Sequence, residues 1–154
     1  MKSLDQWLAE YGESHQNETN KLVHWICVPT IFFSVTGLLF CIKLPFSLGG
    51  QPVNMACIAM LMITVYYALL SKTIWIGMLL FGIACLGICY LIETWVAWPL
   101  WTVCVGLFVL AWIGQFYGHS IEGKKPSFLK DLQFLLIGPA WLMNFIYRSI
   151  GIKS

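Results

Sequence analysis

The sequence predicts an all-α integral membrane protein: an antiparallel bundle of four transmembrane helices, plus a fifth short, Pro-broken apolar segment and an N-terminal interfacial helix. Of 154 residues, 59% are hydrophobic and 10% charged, with a mean hydropathy of +0.77. A soluble domain of this size is far more charged. Apolar runs close to the roughly 20 residues that a helix needs to cross the hydrocarbon core recur along the chain. The connections between them are short, so consecutive helices pack antiparallel. All of this fits one membrane domain over residues 1–154.

The first element is "SLDQWLAEYG", residues 3–12, with Leu4, Trp7, Leu8 and Tyr11 at helical spacing. Ser3 and Gln6 are placed for a capping box and Gly12 for a stop. Trp and Tyr on such a face suit the headgroup level, so this helix is expected to lie in the membrane interface. The spans follow at 22–42, 53–70, 74–92 and 97–117, joined by "KLPFSLGGQP", "SK" and "ETWVAWP". Small residues in the third span, Gly82, Ala84 and Gly87, suit close helix packing. Trp95, Trp98 and Trp101 read as an interfacial belt, and Glu93 as facing water or an interfacial partner. The last apolar stretch, 132–147, is broken at Gly138-Pro139. It can span, re-enter or lie at the surface, because Pro within a helix removes a backbone hydrogen bond.

With a cytoplasmic N-terminus, four spans place Lys2, Lys21, Lys72, Lys124, Lys125 and Lys130 on the cytoplasmic side and Lys43 opposite. That asymmetry satisfies the positive-inside rule. The membrane is the inner or plasma membrane in a bacterium, or the endoplasmic reticulum in a eukaryote. A net charge of +2 without a basic face excludes nucleic-acid binding. The six cysteines lack CxxC or zinc-type spacing and read as buried free thiols at helix interfaces. The first apolar run starts after about 20 polar residues and has no small-residue cleavage site, so no cleavable signal peptide is expected.

All three histidines fall on one membrane face by this topology: His15 before the first span, His24 at its start and His119 at the end of the fourth. Imidazole is the commonest transition-metal ligand, and Fe(II) oxygenase sites combine histidines with a carboxylate. Glu122 follows His119 by three residues and Asn20 precedes His24 by four, so each pair shares a helix face. On a straight helix His15 and His24 would point to opposite sides, about 13 Å apart along the axis. Sharing a metal requires a turn in "HQNETN", with Thr19 or Asn20 as N-cap of the first span. Lys124 and Lys125 are placed to hold a lipid or fatty-acid carboxylate. No Ser-His-Asp order, phosphate loop or dinucleotide glycine pattern is present. A nonenzymatic membrane adaptor, whose polar motifs merely anchor helix ends, is the rival reading. A small transporter ranks last, because the midplane stretches are almost wholly apolar.

Two stretches carry a resemblance. "YGESHQNETNKLVHWICVPTIFFS" resembles the N-terminal signature, and "AWIGQFYGHSIEGKKPSFLKD" the second signature, of the integral-membrane, iron-dependent 2-hydroxy fatty acid dioxygenases. These are known from the fungal endoplasmic-reticulum enzyme of phytosphingosine breakdown, a sphingolipid degradation. The resemblance spans nearly the whole chain. It implies α-oxidation of a 2-hydroxy long-chain fatty acid by dioxygen, giving the acid one carbon shorter and carbon dioxide, with Fe2+ as cofactor. It implies that His15, His24 and His119 are the motif histidines, with Asn17, Asn20 and Glu122 as polar companions; with the spacing of Glu122 to His119, the expected catalytic and metal-binding set is His15, His24, His119 and Glu122. Glu18 stands where the family commonly has Pro, and Ser127 where it often has Ala. Membrane lipid is the expected surrounding, and the oligomeric state stays open, a homo-oligomer included.

Overall fold

The structure is a computed structural model, described for residues 3–13, 15–123 and 134–152. The described residues form six helices and one β-hairpin. Helix α1 (Leu4–Gly12) opens on the Ser3/Gln6 capping box, with reciprocal bonds of 3.3 and 2.9 Å. Its apolar face does not lie free at a membrane surface. Leu4, Leu8 and Tyr11 are buried, and the helix packs on the last helix of the chain.

Helix α2 (Glu18–Phe40) starts four residues earlier than the apolar run. Asn17, rather than Thr19 or Asn20, is its N-cap, its side chain accepting from the N–H groups of Thr19 and Asn20. The polar first turn is thus helical because it is capped, although nothing in it is apolar. Helix α2 continues through Pro29.

The first short connection is a hairpin, β1 (Lys43–Leu48) and β2 (Gln51–Asn54), an addition to the all-α expectation. Gly49 and Gly50 form its two-residue turn at φ 59° and 80°, a backbone that only glycine adopts without strain. Lys43 pairs with Glu93 at 2.9 Å, which ties the hairpin to the far end of α4.

Helix α3 (Met55–Leu70), α4 (Ile74–Trp95) and α5 (Leu100–Ile121) follow. Three helices, α2, α4 and α5, are long and apolar enough to cross a membrane. Helix α3 is apolar but has 16 residues, about 24 Å, short of a ~30 Å core. The outward faces carry exposed Leu, Ile and Val, for example Leu61, Leu80 and Leu110.

Helix α6 (Ile137–Ser149) revises the reading of the fifth apolar segment. Gly138 and Pro139 sit in its first turn, where a missing N–H costs no intrahelical bond, so Pro139 starts the helix instead of breaking it. Of the cysteines, Cys27, Cys85, Cys89 and Cys104 are buried as free thiols, whereas Cys57 is exposed and Cys41 is half-buried.

Helices α2 and α5 make the most extensive pairing. They run antiparallel and close: a Cβ on Gly114 would lie 2.6 Å from Cys27 Sγ, and one on Gly118 would collide with Asn20 Oδ1. Gly114 and Gly118 form a GxxxG step that lets the backbones approach. This contact brings the start of α2 against the end of α5.

Candidate metal centre

That junction gathers the histidines. The chain leaves α1 at Gly12, turns back with the His15 N–H donating to the Gly12 carbonyl at 3.0 Å, and re-enters helix at Glu18. The turn folds His15 back over the side of α2 that carries His24, while His119 arrives from the last turn of α5. Ring centroids are 4.2 Å apart for His15 and His24, 5.0 Å for His24 and His119, and 5.6 Å for His15 and His119. All three are buried, with 3%, 1% and 5% of their surface exposed for His15, His24 and His119. One ligand nitrogen from each lies within 4.8 Å of the other two.

Hydrogen bonding sets the orientation of two rings. His15 Nδ1–H donates to the Tyr11 carbonyl at 2.6 Å and His24 Nδ1–H donates to the Asn20 carbonyl at 2.9 Å. A carbonyl oxygen only accepts, so in the neutral imidazole the lone pair sits on Nε2 in both. Tautomer and ring plane are thus fixed by backbone groups one helical turn upstream, the arrangement metal-ligating histidines use. Tyr11 stacks on His15 at 4.1 Å and 15°, and Trp141 of α6 lies 5.9 Å from it. Gly138 leaves room for this packing, since a Cβ there would meet the Tyr11 hydroxyl at 3.1 Å.

Glu122 does something other than join the histidines. It follows the last residue of α5 as C-cap and reaches to the start of α2. Oε1 accepts from the N–H of Gln16 at 2.9 Å, and Oε2 from the N–H of Asn17 at 2.9 Å and from Asn20 Nδ2 at 3.0 Å. Burial works against its ionisation, but the backbone N–H groups of Asn17 and Gln16 and the Asn20 amide outweigh it and hold the carboxyl below its ordinary value. The carboxylate also complements the positive end of α2. Asn17 and Asn20 are therefore parts of a clamp: one caps α2, and the other, fully buried, links Glu122 to the carbonyl that orients His24.

The expected companions Lys124 and Lys125, and Ser127, lie outside the described residues. Glu18 forms an exposed pair with Lys21 at 2.8 Å, directed away from the buried cluster.

A cavity adjoins the histidines, lined by Tyr11, His24, Val28, Trp112, Gln115 and Leu135 among others. Gln115, buried and one turn before His119, is a site residue that the sequence reading passed over. Its signal was present: an amide in an otherwise apolar helical run, four residues from a histidine.

Three imidazoles oriented in an apolar, buried setting form a donor set suited to a first-row transition metal. The comparisons point to a family of dioxygenases. A model of the family described as 2-hydroxy-palmitic acid dioxygenase Mpo1-like matches residues 1–150. The chain is 29% identical over 150 residues to the 2-hydroxy-palmitic acid dioxygenase MPO1 of Saccharomyces cerevisiae, covering 94% of this chain and 80% of the yeast protein. No solved structure matches it. The chain belongs to the 2-hydroxy-palmitic acid dioxygenase Mpo1-like family.

Proposed function

We propose that the protein is an Fe(II)-dependent dioxygenase that shortens 2-hydroxy long-chain fatty acids by one carbon. The overall change balances without a further reductant: the 2-hydroxy acid and one dioxygen give the shortened acid, carbon dioxide and water. The observation that carries this reading is the buried group of His15, His24 and His119, each contributing one nitrogen. These three residues are the proposed ligands. Fe(II) bound there supplies the one-electron and dioxygen chemistry that protein side chains lack.

The chain's own residues do the rest. The carbonyls of Tyr11 and Asn20 hold two imidazoles with Nε2 turned inward. Tyr11, Trp141 and Trp112 keep water from the reacting atoms. Glu122, Asn17 and Asn20 are positioning residues that keep the turn carrying His15 against α5. The membrane setting follows the same logic. In the proposed topology α2 to α5 all cross the bilayer, with the N-terminus and the histidines on the cytoplasmic side, supported by the lysine asymmetry. Helix α3 then crosses with the help of its hairpin or local thinning. A 2-hydroxy acid would keep its tail in hydrocarbon and its polar head at the histidines.

The test is anaerobic Fe(II) loading of the purified protein, addition of 2-hydroxypalmitate and oxygen, and mass spectrometry of the products. The expected product is the acid one carbon shorter, with one oxygen consumed per acid and no product from His24→Ala. Intact, iron-loaded protein that forms no shortened acid would refute the assignment.

A further inference from the structure

The cavity beside His24 does not stand alone. Its walls include Val28 and Ile31 of α2 and Leu135 of the turn before α6, and its empty space, counting the part open to the outside, is about 350 Å³. A second cavity, of about 320 Å³ counting the part open to the outside, lies further along α2, lined by Val35 and Leu39 of that helix, Ala56, Ala59 and Ile63 of α3, and Leu135 again. His24, Val28, Ile31, Val35 and Leu39 are spaced i, i+4, i+7, i+11 and i+15, one continuous stripe on α2. Leu135 is the wall common to both cavities. Its turn is anchored by a hydrogen bond from the buried Tyr67 hydroxyl to the carbonyl of Leu136 and by Gly138 N–H to the Phe134 carbonyl at 2.8 Å.

Polarity changes along this line. At the histidine end, His24, Gln115 and the Tyr11 side chain offer polar atoms. The far cavity is apolar apart from Thr36, whose hydroxyl donates to the Phe32 carbonyl at 2.9 Å. From His24 to Leu39 the stripe runs about 22 Å. The acyl chains of one leaflet fill about 15 Å, half of the hydrocarbon core. A path with a polar head end, an apolar bore and that length suits one occupant, a single long acyl chain ending in a small polar head.

The geometry points to one acyl tunnel made of these two cavities, with Leu135 as its partition and Ala59 in the wall of its far part, so that these two residues set the chain length accepted. Resting on the dioxygenase reading, it goes further by assigning the path of the tail and the residues that measure it. A third, largely apolar cavity between Trp25, Phe81 and Met143 lies on another side of α2 and has no histidine in its wall.

Two measurements on the full chain in detergent test it. The first reads binding without turnover: a 2-hydroxypalmitate carrying a photoreactive diazirine at its last carbon is bound anaerobically, irradiated, and the labelled residues mapped. Label at Ala59, Met60 or Ile63 is expected. Label on the outward face at Leu61, Met62 and Val65, or at Trp25, Phe81 and Met143, overturns the path. The second compares kcat/KM for 2-hydroxy acids of different length. Ala59→Phe should lower the value for long acids by about fourfold per methylene it displaces, while short acids keep theirs. Leu135→Ala, by joining the cavities, should move the preference toward longer acids. Equal effects of Ala59→Phe on short and long acids, in protein that still binds one metal, contradict the tunnel. Label in the far cavity without any turnover would sink the reaction and leave the path intact, whereas turnover with label elsewhere would sink the path alone.

Discussion

Replacing Glu122 by Gln separates two roles that its position near His119 suggests. The carboxylate takes hydrogen bonds from Gln16 N–H, Asn17 N–H and Asn20 Nδ2 within 3.0 Å. All three partners are donors. A Gln side chain keeps one acceptor oxygen and turns an NH2 group toward the remaining donors, so at least one bond is lost and a donor faces a donor. Hydrogen bonds to charged groups contribute roughly 1.5–3 kcal/mol each. Glu122 is only partly buried, so solvent screening favours a lower total, about 1–2 kcal/mol. Because the clamp holds the turn bearing His15, metal affinity should also fall, by the 10–100-fold typical of groups that orient ligands. The assay is thermal unfolding of metal-free protein in detergent together with anaerobic metal titration. A clamp predicts lower metal-free stability and weakened but stoichiometric binding. Unchanged metal-free stability with complete loss of metal would show instead that Glu122 is a ligand, and would refute this reasoning.

Further outcomes follow from the same geometry. Since the folded carboxyl of Glu122 is held below its ordinary value of 4.5, its stabilisation is fully present above that pH and is lost as pH falls through the lowered value. Acid titration of stability should therefore fall more steeply below about pH 4.5 for the native protein than for Glu122→Gln, and parallel curves would count against the clamp. Gly118→Ala places a methyl group on Asn20 Oδ1 and should cost about 1–3 kcal/mol and weaken metal binding, read by unfolding and titration. Gly106→Ala, where nothing lies within 4 Å, should instead stabilise by roughly 0.5–1 kcal/mol, and serves as the control on the same helix. Lys43→Ala removes a half-exposed ion pair at the opposite end and should change stability by less than about 1 kcal/mol without touching metal affinity.

The histidine cluster is legible because it follows from counting: an even number of crossings, the four expected spans, returns the chain to the face it started from, and a period of 3.6 residues forbids His15 and His24 from meeting without a turn. The turn is there, between Gly12 and Glu18. What pattern reading did not reveal depends on tertiary partners. Spacing to His119 leaves Glu122 open as a ligand or as a group that orients the imidazoles, and its carboxylate accepts from donors at the start of α2, a contact that spacing along one helix cannot show. The apolar face of α1 looked membrane-facing, but α6 competes for it. Pro139 reads as a break because it lies inside the apolar run 132–147, and only the helix boundary at Ile137 makes it a first-turn residue. The hairpin and the Gly114/Gly118 step carried ordinary local signals, a Gly-Gly pair between short strands and small residues four apart, that an expectation of plain loops and spans overlooked.

The most direct test of the centre itself is anaerobic Fe(II) content of the native protein beside His15→Gln, His24→Gln and His119→Gln, each checked for folding by unfolding of the metal-free form. One iron per chain in the native protein and its loss in every folded single variant are predicted. Full iron retention in any one of the three would contradict a centre built from all of them.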